Sequence, residues 1–298
     1  MSHPRPIIAR ARRRGAAHLA VAALLLVACD GTDDAPADDV PADDVPADDV
    51  PADDVPADDV PADDVPEGPD PALPAATFLD VDEVDLDAEA GTLDGDIAEA
   101  AASLPDGWQV AVVADPELGP YVLGVPAGTV VWRAGDDVDV LAQATRDTAW
   151  GRYWLPIAED VSAQPDGASL RAIHVLADVL DGDDVVAVQV NVTGVQDLPV
   201  EDPSATAERF AESFEEQGLE IDDVGVATVG ERELGTVRYL TPDDEFDDGV
   251  ARRIEQWFHP EPDAGLLWSL VCDAPVTRAD EVADPCDAVL GSFHPPRR

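Results

Sequence analysis

The sequence has no lysine, so all of its side-chain positive charge outside histidine comes from arginine. Arginine supplies 17 basic groups against 65 acidic ones, a formal net charge of −48. This imbalance excludes nucleic acid as a partner, because binding a polyphosphate requires basic groups that displace its counterions. An anionic lipid surface would repel the chain for the same reason. Five of the arginines (Arg5, Arg10, Arg12, Arg13 and Arg14) crowd the start, so everything after them is more acidic still. Both a GC-rich coding sequence and a salt-adapted surface produce such a composition.

Cysteine is nearly as scarce, with three residues, Cys29, Cys272 and Cys286. There is no Cys-x-x-Cys, no His-Glu-x-x-His, no Gly-x-Ser-x-Gly and no phosphate-cradling glycine loop. Each of those spacings places a nucleophile, metal ligand or backbone donor where its chemistry needs it, and their absence removes the corresponding enzyme classes. Beyond the first thirty residues only His174, His259 and His294 offer imidazoles. His174 lies in a Val/Ile/Leu-rich stretch and reads as a sheet residue, His259 as part of a hairpin turn, and His294 as part of a loose tail. Carboxylates are so numerous that no pair stands out as an acid–base couple. No catalytic residues and no cofactor are expected.

Long apolar runs are also lacking. The one candidate, Leu19 to Val27, is too short for a membrane span, which needs about 20 apolar residues. It follows the arginines and ends at Leu26-Val27-Ala28-Cys29, the anatomy of a secretory leader with a basic segment, a short apolar segment and small residues at the cut. The last four residues resemble a bacterial lipobox. The resemblance implies cleavage before Cys29 and lipid on its sulfur, with the mature protein on the outer face of the cytoplasmic membrane. Residues 1–28 are therefore read as a lipoprotein signal peptide. The membrane is then a partner only through the N-terminal lipid.

Residues 29–77 form a spacer. The unit Pro-Ala-Asp-Asp-Val occurs six times from Pro36 to Val65. With two acids and one large apolar residue per unit, such a segment cannot bury enough surface to offset its ordering entropy. Proline and like-charge repulsion predict a disordered, extended tether reaching on the order of 100 Å at ~3.1 Å per residue.

Residues 78–298 are read as the globular part. The spacing of Val and aromatic residues predicts strands at 109–114, 121–125 and 129–133, and an Ala-rich helix at 97–103. Two long β-type runs, 169–180 and 185–192, flank Asp181-Gly182-Asp183-Asp184, a hairpin signal. Asp202-Pro203 is a helix start with the acid at the cap and proline at the first position, and Gly218 a stop. Strands follow at 224–229 and 234–240, then a hairpin of 250–259 and 266–272, and a closing helical segment at 278–293 interrupted near Pro285. Cys272 at a strand end and Cys286 on the next helix are an even pair in an exported chain, and a disulfide between them is expected.

This order of elements resembles the PsbP-like family, which includes actinobacterial envelope lipoproteins of the LpqN type. The residues carrying the resemblance are Val188-Gln189-Val190-Asn191-Val192, Val229-Gly230-Glu231, Glu255-Gln256-Trp257-Phe258, Leu267-Trp268-Ser269-Leu270-Val271-Cys272 and Cys286-Asp287-Ala288-Val289-Leu290-Gly291-Ser292-Phe293. Leu104-Pro105-Asp106-Gly107-Trp108 resembles the family's opening, and the match is best over 169–293. It implies an α+β fold, an α/β/α sandwich with a largely antiparallel sheet.

Two clusters remain. Asp80, Asp82, Asp85, Asp87, Glu89, Asp94 and Asp96 make an acid-rich stretch, but an EF-hand from Asp85 fails because Ala90 stands where the loop needs glycine. A solvated face, with no metal, is expected there. Trp150, Arg152, Tyr153 and Trp154 are the densest aromatic group, read either as a surface patch for an envelope protein, peptide or glycan, or as core beneath a long connection. Trp257 and Trp268 are expected to meet across their hairpin. The function expected is that of a lipid-anchored envelope protein with a non-catalytic binding or scaffolding domain. The alternatives are an envelope hydrolase using a carboxylate pair, or a calcium-responsive binder.

Overall fold

A computed structural model of the protein describes residues 75–176, 185–195, 202–230, 232–242 and 249–297. The expected leader, Cys29, the acidic repeat and the expected hairpin turn at 181–184 lie outside the described residues. In chain order the elements are β1 (Ala76–Asp80), α1 (Leu93–Ala102), β2 (Trp108–Asp115), β3 (Gly119–Pro126), β4 (Val130–Arg133), α2 (Asp139–Thr145) and α3 (Ala149–Ala163). They continue with β5 (Leu170–Val175), β6 (Ala187–Gly194), α4 (Pro203–Glu216), β7 (Glu220–Val229), β8 (Arg232–Leu240), β9 (Arg252–Glu261), β10 (Leu266–Pro275) and α5 (Ala279–Gly291). No helix among the described residues is long and apolar enough to cross a membrane.

The fold is α+β. Seven strands form one sheet in the order β4-β5-β6-β10-β9-β8-β7, and β1-β2-β3 form a second. Every adjacent pair is antiparallel. Central β10 is apolar almost throughout because both of its faces are covered. Trp268, Leu270, Cys272 and Ala274 point to one face, where they meet β2, β3 and α5. Leu267 and Val271 point to the other, where they meet α4. This is the period-2 alternation of a strand applied to a fully buried position. The expected helix–sheet–helix layering exists where α5 and α4 flank the large sheet. The small sheet is an additional layer between that sheet and α1, with Ala111, Val113, Tyr121, Leu123 and Val125 facing inward and Val110 and Val122 facing α1.

Helix α4 forms as its sequence dictates. Asp202 accepts the Ala205 N–H at 3.1 Å, Pro203 opens the first turn, and Ala207, Ala211 and Phe214 bury one stripe. Phe210 stacks on Phe258 at 4.3 Å. Gly235 lets the start of α4 approach β8, since a Cβ there would stand 2.3 Å from the Pro203 carbonyl oxygen. Cys272 on β10 and Cys286 on α5 are joined by the expected disulfide, with their Cα atoms 5.9 Å apart. A closed loop of this size contributes about 3 kcal/mol.

Four expectations are corrected. The stretch containing Trp150 is the 15-residue helix α3 rather than a connection, capped by Thr148, whose Oγ accepts the Gly151 N–H at 2.9 Å. The closing helix runs through Pro285 without interruption, held by the buried stripe Val282, Cys286, Val289 and Leu290. Register places Trp257 opposite Leu270 and Trp268 opposite His259, so the two indoles are diagonal neighbours and do not face each other. His259 is therefore an interior strand residue, with the turn lying beyond it at 262–265.

Candidate functional site

Three carboxylates are buried among the described residues: Asp96, Asp115 and Asp273. Arginine holds each of them. Arg171 grips Asp115 with Nε at 2.7 Å and a terminal nitrogen at 2.8 Å, and also reaches Glu117 at 3.0 Å. Arg252 pairs with Asp273, whose second oxygen accepts the Trp150 indole N–H at 2.7 Å. Arg297 pairs with both oxygens of Asp96. Such a fork gives a buried carboxylate charge-assisted hydrogen bonds in place of the water it has lost.

These contacts decide the aromatic cluster. Trp150 is 1% exposed and Trp154 3%, and both pack in the core between α3 and the large sheet. Tyr153 is half-buried against Trp154 and Arg152 is exposed. The surface-patch reading of Trp150, Arg152, Tyr153 and Trp154 is thus corrected: helical spacing turns the indoles inward, and the Asp273 carboxylate satisfies one of them. Asp80, Asp82, Asp85, Asp87, Glu89 and Asp94 are exposed, whereas Asp96 is buried.

Asp96 belongs to a polar cluster that the sequence did not reveal. Thr92 caps α1, starting the helix earlier than composition suggested, and this puts Asp96 and Glu99 three residues apart on one helical face. Opposite them stands His294, which is not in a loose tail. Its backbone forms a two-way bridge with Val122 of β3, both bonds at 3.0 Å. Its Nδ1 is 3.4 Å from an Asp96 oxygen. One ligand atom from each of Asp96, Glu99 and His294 lies within 4.8 Å of the others.

Arg232 and His259 border this cluster. Arg232 is partly buried and donates to the Phe293 carbonyl at 3.3 Å. Burial first, and the Arg232 charge second, hold His294 below its ordinary value against the opposing pull of Glu99 and Asp96. His259 is held well below its ordinary value by burial, then by Arg232 and His294. Its ring meets Phe293 edge-on at 5.0 Å, and neither ring nitrogen has a hydrogen-bond partner among the described residues. His174 is likewise buried and pushed down to about 3, with Tyr121 Oη 3.1 Å from its Nε2.

A second acid group lies on the outer side of α5. Asp287 is hydrogen-bonded to Glu255, which also accepts from Arg238 at 3.2 Å and from the Trp257 indole at 3.1 Å. Desolvation first, and Glu255 second, push Asp287 up to about 6.

No family profile matches the chain, and no curated protein matches it. Among solved structures it is similar to the cyanobacterial PsbP (CyanoP) of Synechocystis, with 13% identity, a TM-score of 0.39, and coverage of 63% of this chain and 92% of that one. It is similar to LpqN of Mycobacterium tuberculosis, a protein involved in cell envelope biogenesis, with 17% identity, a TM-score of 0.30, and coverage of 40% and 67%. The Saccharomyces cerevisiae Ran-binding protein Mog1p is similar at 13% identity and a TM-score of 0.32, over 58% of this chain and 89% of that one.

Proposed function

We propose that the chain is an exported, lipid-anchored envelope protein whose acidic repeat spaces a non-catalytic binding or scaffolding head from the membrane. The observation that carries this reading is the leader ending in Leu26-Val27-Ala28-Cys29, followed at once by the acidic repeat. The Cys272–Cys286 disulfide fits it, because such bonds persist in oxidising compartments outside the cytoplasm. The arginine clamps fit a non-catalytic head, since the buried carboxylates already use their hydrogen-bonding capacity on guanidinium groups.

The anchor is tested by expressing the full chain in a bacterial host with a palmitate analogue. Wild type should be labelled and sediment with membranes, and Cys29→Ala should be unlabelled and soluble. An exported wild-type protein with an unmodified Cys29 in its intact mass would overturn the anchor. Crosslinking at the cell surface should then trap a defined envelope partner through the head.

The Asp287–Glu255 pair favours a hydrolase as a second reading, because a carboxyl near pH 6 can donate a proton. That reading requires purified wild-type protein to cleave an envelope glycan and Asp287→Asn to lose the activity.

A further inference from the structure

Asp96, Glu99 and His294 present two carboxylate oxygens and one imidazole nitrogen, all mutually within 4.8 Å. This is the donor chemistry of a borderline divalent cation, which binds N and O ligands at roughly 2.0–2.2 Å and completes four-coordination with water. Calcium fits poorly, since it requires six to eight oxygens. The three ligands come from two structural supports. Asp96 and Glu99 share one face of α1, and His294 is fixed by its bridge to β3.

Two further observations point to a ligand. The His294 side chain is 9% exposed and directs Nδ1 at Asp96 from 3.4 Å. Next to it His259 is 2% exposed, with both nitrogens unpartnered among the described residues. A buried imidazole without partners costs free energy unless something engages it.

The cation position is contested by Arg297. Its guanidinium holds both Asp96 oxygens, yet its side chain remains 48% exposed on the segment after α5. Asp96 is thus neutralised by a residue that can leave without opening the core. Glu99 is exposed, with an oxygen already within 4.8 Å of the other two ligand atoms. Arg232 opposes a cation, but the two carboxylates outweigh its single charge once Arg297 has moved.

We propose that Asp96, Glu99 and His294 bind one divalent transition cation of the Zn²⁺ class, with Arg297 as the built-in competitor that occupies Asp96 when the cation is absent. This proposal does not depend on the lipid anchor.

The test is calorimetric titration of Zn²⁺ into the full-length Cys29→Ala chain, with excess Mg²⁺ present to occupy diffuse carboxylates. One saturable Zn²⁺ per chain is expected. His294→Ala and Glu99→Gln should each weaken it by about tenfold or more, the usual loss for a perturbed metal site. Arg297→Ala should tighten it, by up to about fivefold, the factor released with one exposed ion pair. Glu99 and Arg297 are exposed, so their variants keep the test valid even if His294→Ala does not fold. The proposal is overturned if Glu99→Gln binds like wild type. It is also overturned if Arg297→Ala lowers thermal stability without tightening Zn²⁺, because Arg297 would then be only a structural clamp.

Discussion

The head contains the same chemical unit, an arginine on a buried carboxylate, in two settings that differ in exposure. In the Arg252–Asp273 pair both side chains are nearly solvent-free, at 3% and 1% exposed. The interior supplies the remaining partners, the Trp150 indole and the Val185 carbonyl. In the Arg297–Asp96 pair the carboxylate is 4% exposed and the arginine 48%. A sealed pair cannot be opened without leaving a charge in a dry interior, so it fixes structure. A half-open pair can exchange its arginine for water or another cation at lower cost, so it is the kind of contact a binding event can replace. Burial of one partner thus separates a rivet from a latch.

The largest effect should come from breaking the rivet. Asp273→Asn keeps the shape of the side chain but leaves Arg252 charged and unneutralised in the core. A loss of about 3–5 kcal/mol is expected in urea or thermal unfolding. Arg252→Met combined with Asp273→Leu should recover part of that loss, because removing both charges ends the penalty. If Asp273→Asn unfolds like wild type, the contrast between the two settings fails.

The latch should respond more weakly. Arg297→Ala should cost about 1–3 kcal/mol, because Asp96 is buried but water can take the place of the exposed arginine, and high salt should shrink the difference. A loss as large as that of Asp273→Asn would mean that the C-terminal segment is as structural as the sheet.

The rivet and the latch were unequally legible in the sequence. The second half of the chain carries strong local signals. Asp202-Pro203 and Gly218 bracket α4, and the Val-rich run of β6 and the Leu/Trp run of β10 read as strands. The first half does not. Helix α3 has a Thr148 cap and a buried stripe at Trp150, Trp154, Ala158 and Val161, but Gly151 and Pro156 both argue against a helix locally. Tertiary packing overrides them: Gly151 sits where a Cβ would meet the Thr145 carbonyl at 1.9 Å. Pro285 misleads in the same way, since the neighbouring disulfide and core stripe keep α5 intact. The polar cluster was beyond reach for another reason. Asp96 and Arg297 are 201 residues apart, and nothing local marks Asp96 among so many acids. The bridge between His294 and Val122 and the Arg297–Asp96 pair together bring the tail to α1. The pairing of Cys272 with Cys286 was legible because a cysteine ending a strand and another on the helix that follows it suit a strand-to-helix bridge.

The smallest effect sharpens the comparison from a third setting, where a carboxylate has an acid as its closest neighbour. Asp287 is held up to about 6 by partial desolvation and then by Glu255, while Arg238 opposes and Asp284 adds to the rise. The unfolded chain releases this proton near its ordinary value, so the native state binds more protons between about 4 and 6. Stability should therefore fall as pH rises through that window, with the full penalty present above 6. Asp287→Asn removes the titration and should leave the protein slightly more stable at pH 7 and unchanged at pH 3.5. Solvent at this exposed site screens the effect to a few tenths of a kcal/mol. Parallel thermal melts at the two pH values measure it. A variant less stable than wild type at pH 7 would show that Asp287 contributes a favourable contact outweighing its repulsion from Glu255.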